Sequence, residues 1–151
     1  MMTLDMIMST DLITINPEEN LAAARALMHD NRIHHLPVVE DGALVGLVTL
    51  TNVLAATDSF LRDDDSRIHA KEIVVRDMMV TDVATVDEHA SLRQAALFLE
   101  KHRIGCLPVV TDGELKGIIT DTDFVAVAIN LLEQLEEEDF EGADEEFEEA
   151  G

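Results

Sequence analysis

The sequence contains no tryptophan and no tyrosine, and only five phenylalanines. A core built from it must be aliphatic, and a hydrophobic content of 47% over 151 residues is enough for one domain or two small modules sharing a core. The single cysteine, Cys106, excludes an internal disulfide framework and suits a reducing compartment, so the expected location is the cytoplasm. Basic residues are scarce. Ten Lys and Arg stand against 32 Asp and Glu, for a net charge of −22. Nucleic-acid binding rests on Lys and Arg neutralising phosphates, so the expectation is no nucleic acid. No apolar run approaches the roughly 18 residues of a membrane span, and the start, Met1-Met2-Thr3-Leu4-Asp5, lacks the basic segment of a signal peptide. A nucleophile–base constellation, a glycine-rich phosphate loop and a Cys/His metal spacing are all missing, which argues against an enzyme.

What is present is a repeat. Pro37 and Pro108 are 71 residues apart. The same offset relates Met8 to Met79, Leu21 to Leu92, Arg32 to Arg103, Gly42 to Gly113, Gly46 to Gly117 and Thr49 to Thr120. Both copies contain Arg-Ile-x-x-Leu-Pro-Val-Val-x-Asp-Gly-x-Leu-x-Gly without a gap. Each reads as βαββα. A short β run (Leu12–Ile15; Val83–Val86) precedes an amphipathic helix (Leu21–Asn31; Leu92–His102). Asn20 can cap the first helix, and Ser91 with Gln94 forms a Ser-x-x-Gln capping box at the second. A buried strand (Leu36–Val39; Leu107–Val110) turns through Asp41-Gly42 or Asp112-Gly113 into a third strand, and a second helix begins at Thr51 or Thr122. One unit is too small to bury its sheet, whereas two units face to face can share a core. The predicted boundaries are 4–62 for copy one, 63–72 for a linker around the charged patch Arg62–Arg67, 73–132 for copy two and 133–151 for an acidic tail. The tail reads as a solubilising end or a protein-binding acidic segment. Met6, Met8, Met78 and Met79 are expected in core packing where the copies meet, and Cys106 as a small core residue.

The ends of the copies carry the chemistry. Gly117-Ile118-Ile119-Thr120-Asp121-Thr122-Asp123 takes an apolar strand into two hydroxyls and a carboxylate just before a helix. Such a junction leaves backbone N–H groups unpaired, and its Asp can accept two hydrogen bonds, as from a ribose diol. Gly46-Leu47-Val48-Thr49-Leu50-Thr51-Asn52 is the earlier copy. An Asp at a helix start also favours the helix dipole on its own account, and Thr is an ordinary N-cap.

Two such units, each with Met-x-Thr-Asp near its start, Leu-Pro-Val-Val in the middle and Gly-x-x-Thr-x-Thr-Asp/Asn at its end, resemble a tandem CBS-domain pair (a Bateman module) over about residues 4 to 132. The resemblance implies an α+β fold of two βαββα repeats packed with pseudo-two-fold symmetry. It implies a regulatory module, with no catalytic or transport domain attached. Such a module senses an adenosine-containing ligand (AMP, ADP, ATP or S-adenosylmethionine) between the repeats and signals to a regulated partner protein. It also implies a homodimer. The nucleoside side of one site would be Thr120, Thr122 and Asp123, with Leu12 and Ile13 lining the base. The phosphate side would be Arg32, His34, His35 and Pro37. Imidazoles there would make phosphate affinity depend on pH. His34 and His35 on a strand point to opposite faces and cannot easily share one metal ion, so no metal site is expected. The second site would pair Thr49, Thr51 and Asn52 with Arg103, Gly105 and Cys106. It is expected to be weak, because Asn52 replaces the carboxylate and Gly105 and Cys106 bring no charge. No cofactor is required, although Mg²⁺ could accompany a nucleotide: metal-free ATP should bind less well than AMP to so acidic a chain. The alternative reading is a structural or adaptor module whose ligand sites have decayed, which Asn52 favours and the intact Thr120–Asp123 stretch opposes.

Overall fold

The computed structural model describes residues 2–58 and 70–142. The charged patch Arg62–Arg67, most of the expected linker and the tail beyond residue 142 lie outside the described residues. In copy one, α1 (Leu21–Asn31) leads into β1 (His35–Glu40), β2 (Ala43–Thr49) and α2 (Leu50–Asp58). A short helix, α3 (Val75–Met78), precedes copy two. There α4 (Leu92–His102), β3 (Cys106–Thr111), β4 (Glu114–Thr120) and α5 (Asp121–Gly142) repeat the order. No helix among the described residues is long and apolar enough to cross a membrane.

Local signals set these elements. Asn20 Oδ1 accepts from the Ala23 N–H at 2.8 Å, and Ser91 Oγ from the Gln94 N–H at 3.1 Å, each satisfying an orphan donor of a first turn. Both helices stop where an arginine, Arg32 or Arg103, turns left-handed, with φ of 53° and 52°. The hairpin turns place two successive residues at positive φ, Asp41 with Gly42 and Asp112 with Gly113, as a two-residue turn of matching twist requires. Ser91→Ala should lower stability by about 1 kcal/mol, read as a shifted urea midpoint at unchanged slope. An unshifted midpoint would show that the Ser91 cap carries no weight.

The first β run of each copy departs from expectation. It contributes one bridge, Ile15 to Val38 and Val86 to Val109, both parallel, instead of a strand. Pro37 and Pro108 are the reason. The Ile15 N–H donates to the Pro37 carbonyl at 3.0 Å, and the Val39 N–H to the Ile15 carbonyl at 2.9 Å. The next rung would need an N–H from Pro37, which proline lacks. Copy two repeats this with Val86, Pro108 and Val110.

The copies exchange their lead-in segments. Leu4, in a single 3-10 turn (Leu4–Met6), is fully buried among Ala95, Leu99, Leu107, Val109 and Ile119 of copy two. Its N–H donates to the Ala90 carbonyl at 3.1 Å. Reciprocally, Val75 is fully buried in the core of copy one with Leu21, Met28, Leu36 and Val53. The Leu21 N–H donates to Ile73 and the Val75 N–H to Glu19, both at 2.8 Å. Ser9 bridges Ile118 in β4, and Val80 bridges Leu47 in β2. These two bridges are related by the 71-residue offset, so the copies sit about a pseudo-two-fold axis. Gly46 and Gly117 permit the crossing: a Cβ on Gly46 would lie 2.5 Å from Met79 Sδ, and one on Gly117 2.7 Å from Met8 Sδ. Met8, Met78 and Met79 pack against the cores as expected, but Met6 is 62% exposed on the outer side of its turn.

Candidate functional site

The hairpin registers fix where the polar ends meet. His35 pairs with Thr49, and Cys106 with Thr120, so each copy presents a strand start beside a strand end. The two ends approach each other near the axis. A Cβ on Gly105 would lie 3.5 Å from Cε1 and Nε2 of His35 and 3.7 Å from Asp121 Oδ2. His35 and Asp121 therefore crowd the same glycine from opposite copies.

Thr120, Thr122 and Asp123 form one hydrogen-bonded cluster. Asp123 Oδ2 accepts from the Thr120 N–H at 2.8 Å and from Thr120 Oγ1 at 3.3 Å, and the two threonine hydroxyls are 2.8 Å apart. The Asp123 bond reaches back from the third helical residue to the cap, which is one half of a capping box. Copy one uses the other half. Thr49 Oγ1 accepts from the Asn52 N–H at 3.1 Å and donates to Asn52 Oδ1 at 2.5 Å. Asp123 thus keeps a second carboxylate oxygen without a partner among the described residues, whereas the only side-chain oxygen of Asn52 is engaged.

Leu12 and Ile13, both half-buried, follow Ser9, which bridges Ile118 in β4, and Ile13 packs against the core of copy one. Pro37 is buried within β1. Arg32 and His34 are exposed, and neither is tied to the Thr120–Asp123 cluster by a contact among the described residues.

A cavity among the described residues opens on the other side of the axis. A cleft of about 600 Å³ is walled by Leu47, Val80, Val83 and Ile104, with Thr49, His35, Asp82 and His102 as its polar groups. Ala84, Phe98, Gly105 and Cys106 complete it. This volume suits a small organic ligand. The lead-in after Val80 forms one wall, and the Ala84 N–H and C=O have no partner among the described residues, the C=O because Pro108 has no N–H to donate. An adjacent N–H and C=O can hydrogen-bond the edge of a purine.

The cleft coincides with the expected second site, but not with its full residue set. Thr49, Gly105 and Cys106 line it. Arg103 instead lines a neighbouring cavity of about 550 Å³ with Glu100, Asp121 and Phe124. Thr51 is exposed and Asn52 is occupied as a cap partner. His35, expected on the phosphate side of the first site, lines this cleft. Val83 and Ala84 are the offset partners of Leu12 and Ile13, so the repeat alone could have found them. Phe98 and His102, one turn apart on α4 with ring centroids 4.2 Å apart, carry no local signal.

Charge in the site is tuned by burial. Desolvation lowers the His35 pKa, opposed by Asp121, with His34 adding to the lowering. Burial, reinforced by Asp121 and Asp123, pushes the Cys106 thiol up to about 12, so it stays protonated and a poor nucleophile. The His35 shift makes folding pH-dependent. Its folded pKa lies below the unfolded 6.5, so the unfolded chain takes up the proton more readily. The stability that His35 contributes is present above 6.5 and is lost as pH falls through the lowered folded value. His35→Asn should flatten that part of the stability curve in urea titrations across the window. An unchanged slope would assign the dependence to other groups.

Comparison with known proteins follows the repeat. The family model for the CBS domain matches residues 4–59 and again 75–130. The inosine-5'-monophosphate dehydrogenase of Thermoplasma acidophilum is 38% identical over 116 residues, which are 76% of this chain but 21% of that enzyme, so the chain spans about a fifth of this relative's length. Among solved structures, the AcuB protein of Vibrio cholerae superposes with a TM-score of 0.78 at 39% identity, covering 91% of this chain and 97% of that one. CBSX2, solved in complex with AMP, superposes with a TM-score of 0.73 at 30% identity, covering 85% and 97%.

Proposed function

Because this chain belongs to the CBS-domain family, we propose that it is a non-catalytic regulatory module that binds an adenosine-containing ligand between its copies and passes occupancy to a partner protein. The observation that carries this reading is the composite cleft. Its walls come from both copies, so a ligand seated there touches β2 of one and the lead-in, α4 and β3 of the other. Such a ligand ties the packing of the copies to its own presence, which is what a coupling between binding and conformation needs. The open Ala84 backbone suits an adenine edge, and the Thr120–Asp123 cluster with Leu12 and Ile13 offers a second, ribose-binding seat. The AMP bound by CBSX2 supports the ligand class. An acidic chain whose cleft is lined by Asp82, with no Lys or Arg, favours AMP over metal-free ATP.

Calorimetry and thermal shift with AMP, ADP, ATP with and without Mg²⁺, and S-adenosylmethionine test this directly. Saturable binding of at least one is expected, with AMP tighter than metal-free ATP. No response to any of them at millimolar concentration would overturn the reading.

The same reading includes a homodimer. Leu54 on α2 and Val125 on α5 are equivalent at the 71-residue offset, and both are exposed, at 44% and 56%. Ile129 and Leu132 continue the α5 stripe at helical spacing. A second copy covering both helices would bury it. Sedimentation should show a dimer that Leu54→Glu with Val125→Glu converts to monomer; a wild-type monomer would exclude this part.

A further inference from the structure

Among the described residues, the cleft beside Thr49 is lined by two imidazoles and by no Lys or Arg. His35 enters from β1 of copy one and His102 from α4 of copy two. His35 is half-buried, its ring lies against Gly105, and neither ring nitrogen has a hydrogen-bond partner among the described residues. His102 lies against Phe98 with the ring planes tilted by 38°, and is otherwise unpartnered among them. Among the described residues, charged groups face this pair from several elements, and Asp123 acts with Asp121 on the adjoining Cys106. Asp82 comes from the lead-in wall, Asp121 faces His35 from the start of α5, and His34 adjoins it on copy one. The Cys106 thiol on β3 stays neutral. Glu100 of α4 and Arg103, which ends that helix, line the neighbouring cavity with Asp121.

With both imidazoles neutral, Asp82 and Asp121 make the cleft repel an anion. With both protonated, two positive charges offset Asp82 and Asp121, and the rings offer charged N–H donors to an anionic group. We infer that this cleft is proton-gated: it accepts an uncharged nucleoside at any pH near neutrality, but holds a ligand bearing an anionic 5′ group only when His35 and His102 carry protons. The inference rests on the adenosine-ligand reading above and adds its regulation. Imidazole is the side chain whose ordinary titration falls between about pH 5 and 8, so the gate would work across the range a cell can reach. Burial of His35 opposes its protonation, and an anion beside the ring would reverse that, so binding and proton uptake are linked.

The test needs an anionic probe whose own charge is constant. Adenosine 5′-sulfate is a monoanion throughout the range, whereas a phosphate monoester titrates within it. Calorimetry on the full chain compares this probe with adenosine at about pH 5.5 and about pH 8. Adenosine should bind with a Kd that changes less than about twofold. The sulfate should bind about tenfold or more tightly at the lower pH, as expected when a hydrogen bond to a charged group is gained. Buffers of different ionisation heat should show proton uptake with the sulfate and none with adenosine. Within each variant, the ratio of sulfate affinity at the two pH values is the readout: His102→Asn should lose part of the pH effect, and His35→Asn with His102→Asn should lose all of it. Equal sulfate affinity at both pH values, or a pH effect that persists in the double variant, would overturn the gate while leaving the nucleoside site standing. Failure of adenosine to bind at either pH would overturn the gate together with the reading beneath it.

Discussion

Leu4→Ala is expected to destabilise the protein by about 2–5 kcal/mol, the range for truncating a fully buried leucine. The size of that effect would be surprising for a residue so close to the start of the sequence if the lead-in merely introduced copy one. Leu4 is instead part of the copy-two core, fully buried with Leu107, Val109 and Ile119. Its removal takes away apolar contacts and leaves a cavity that the surrounding hairpin and α4 cannot easily close. A domain of this size has roughly 5–15 kcal/mol of stability, so the variant could lose a large share of it. Val75→Ala, its offset partner in the other core, should act in the same direction with a smaller effect, since valine has less to lose. Met6→Ala is the control: at 62% exposed it should stay within about 0.5 kcal/mol of wild type. Urea unfolding of the three variants separates the cases. Leu4→Ala as mild as Met6→Ala would mean that the exchanged lead-in is not docked in solution.

The exchange also explains which parts of the fold could be read from the chain. Helix starts were legible because Asn20 and Ser91 cap locally, and the hairpin turns because Asp-Gly is one of the few pairs that tolerate two positive φ values in a row. The single-bridge first strands were legible in principle. Pro37 and Pro108 lack the N–H that the next rung needs, but that consequence appears only once the partner strand is known. The exchange was not legible. Two sequences with the same lead-in can dock it in either copy, and only the long-range contacts of Leu4 and Val75 decide. Its one trace is the pair of mid-strand glycines, Gly46 and Gly117, which mark a close approach of another segment.

The candidate site divides in the same way. Thr120, Thr122 and Asp123 are near neighbours in sequence, so their cluster was foreseeable. The cleft that gathers His35, Asp82, Phe98 and His102 draws on three separate segments, and no local pattern announces it. Arg103 shows the limit of transferring a role by position. It lies two residues from Gly105 and three from Cys106, yet its left-handed backbone, φ 52°, goes with a side chain in the neighbouring cavity.

Asp123→Ala is expected to weaken binding of an adenosine-type ligand by about tenfold to a hundredfold, because hydrogen bonds to a charged acceptor are worth about 1.5–3 kcal/mol each. The same substitution should cost about 1 kcal/mol of stability through the lost bond to the Thr120 N–H. The two effects separate because they use different oxygens. Oδ2 is committed to Thr120, while the other oxygen is open for a ribose hydroxyl. Asp123→Asn should therefore keep much of the stability, since its amide oxygen can still serve the cap, yet lose most of the affinity, since its remaining group donates where a carboxylate accepts. Asn52→Asp makes the reciprocal experiment. There Thr49 Oγ1 already satisfies the helix N–H, so a carboxylate at position 52 need not cap and would have an oxygen to spare for a diol. Affinity in the cleft beside Thr49 should rise several-fold, about 1 kcal/mol, for adenosine. Calorimetry of Asp123→Ala, Asp123→Asn and Asn52→Asp, with thermal melts alongside, distinguishes the outcomes. Affinity unchanged in all three would place the ribose somewhere other than either helix start. A loss at Asp123 with no gain at position 52 would confine the ribose-binding seat to copy two. A loss at one and a gain at the other would establish that the two helix starts share one chemistry and differ by a single carboxylate.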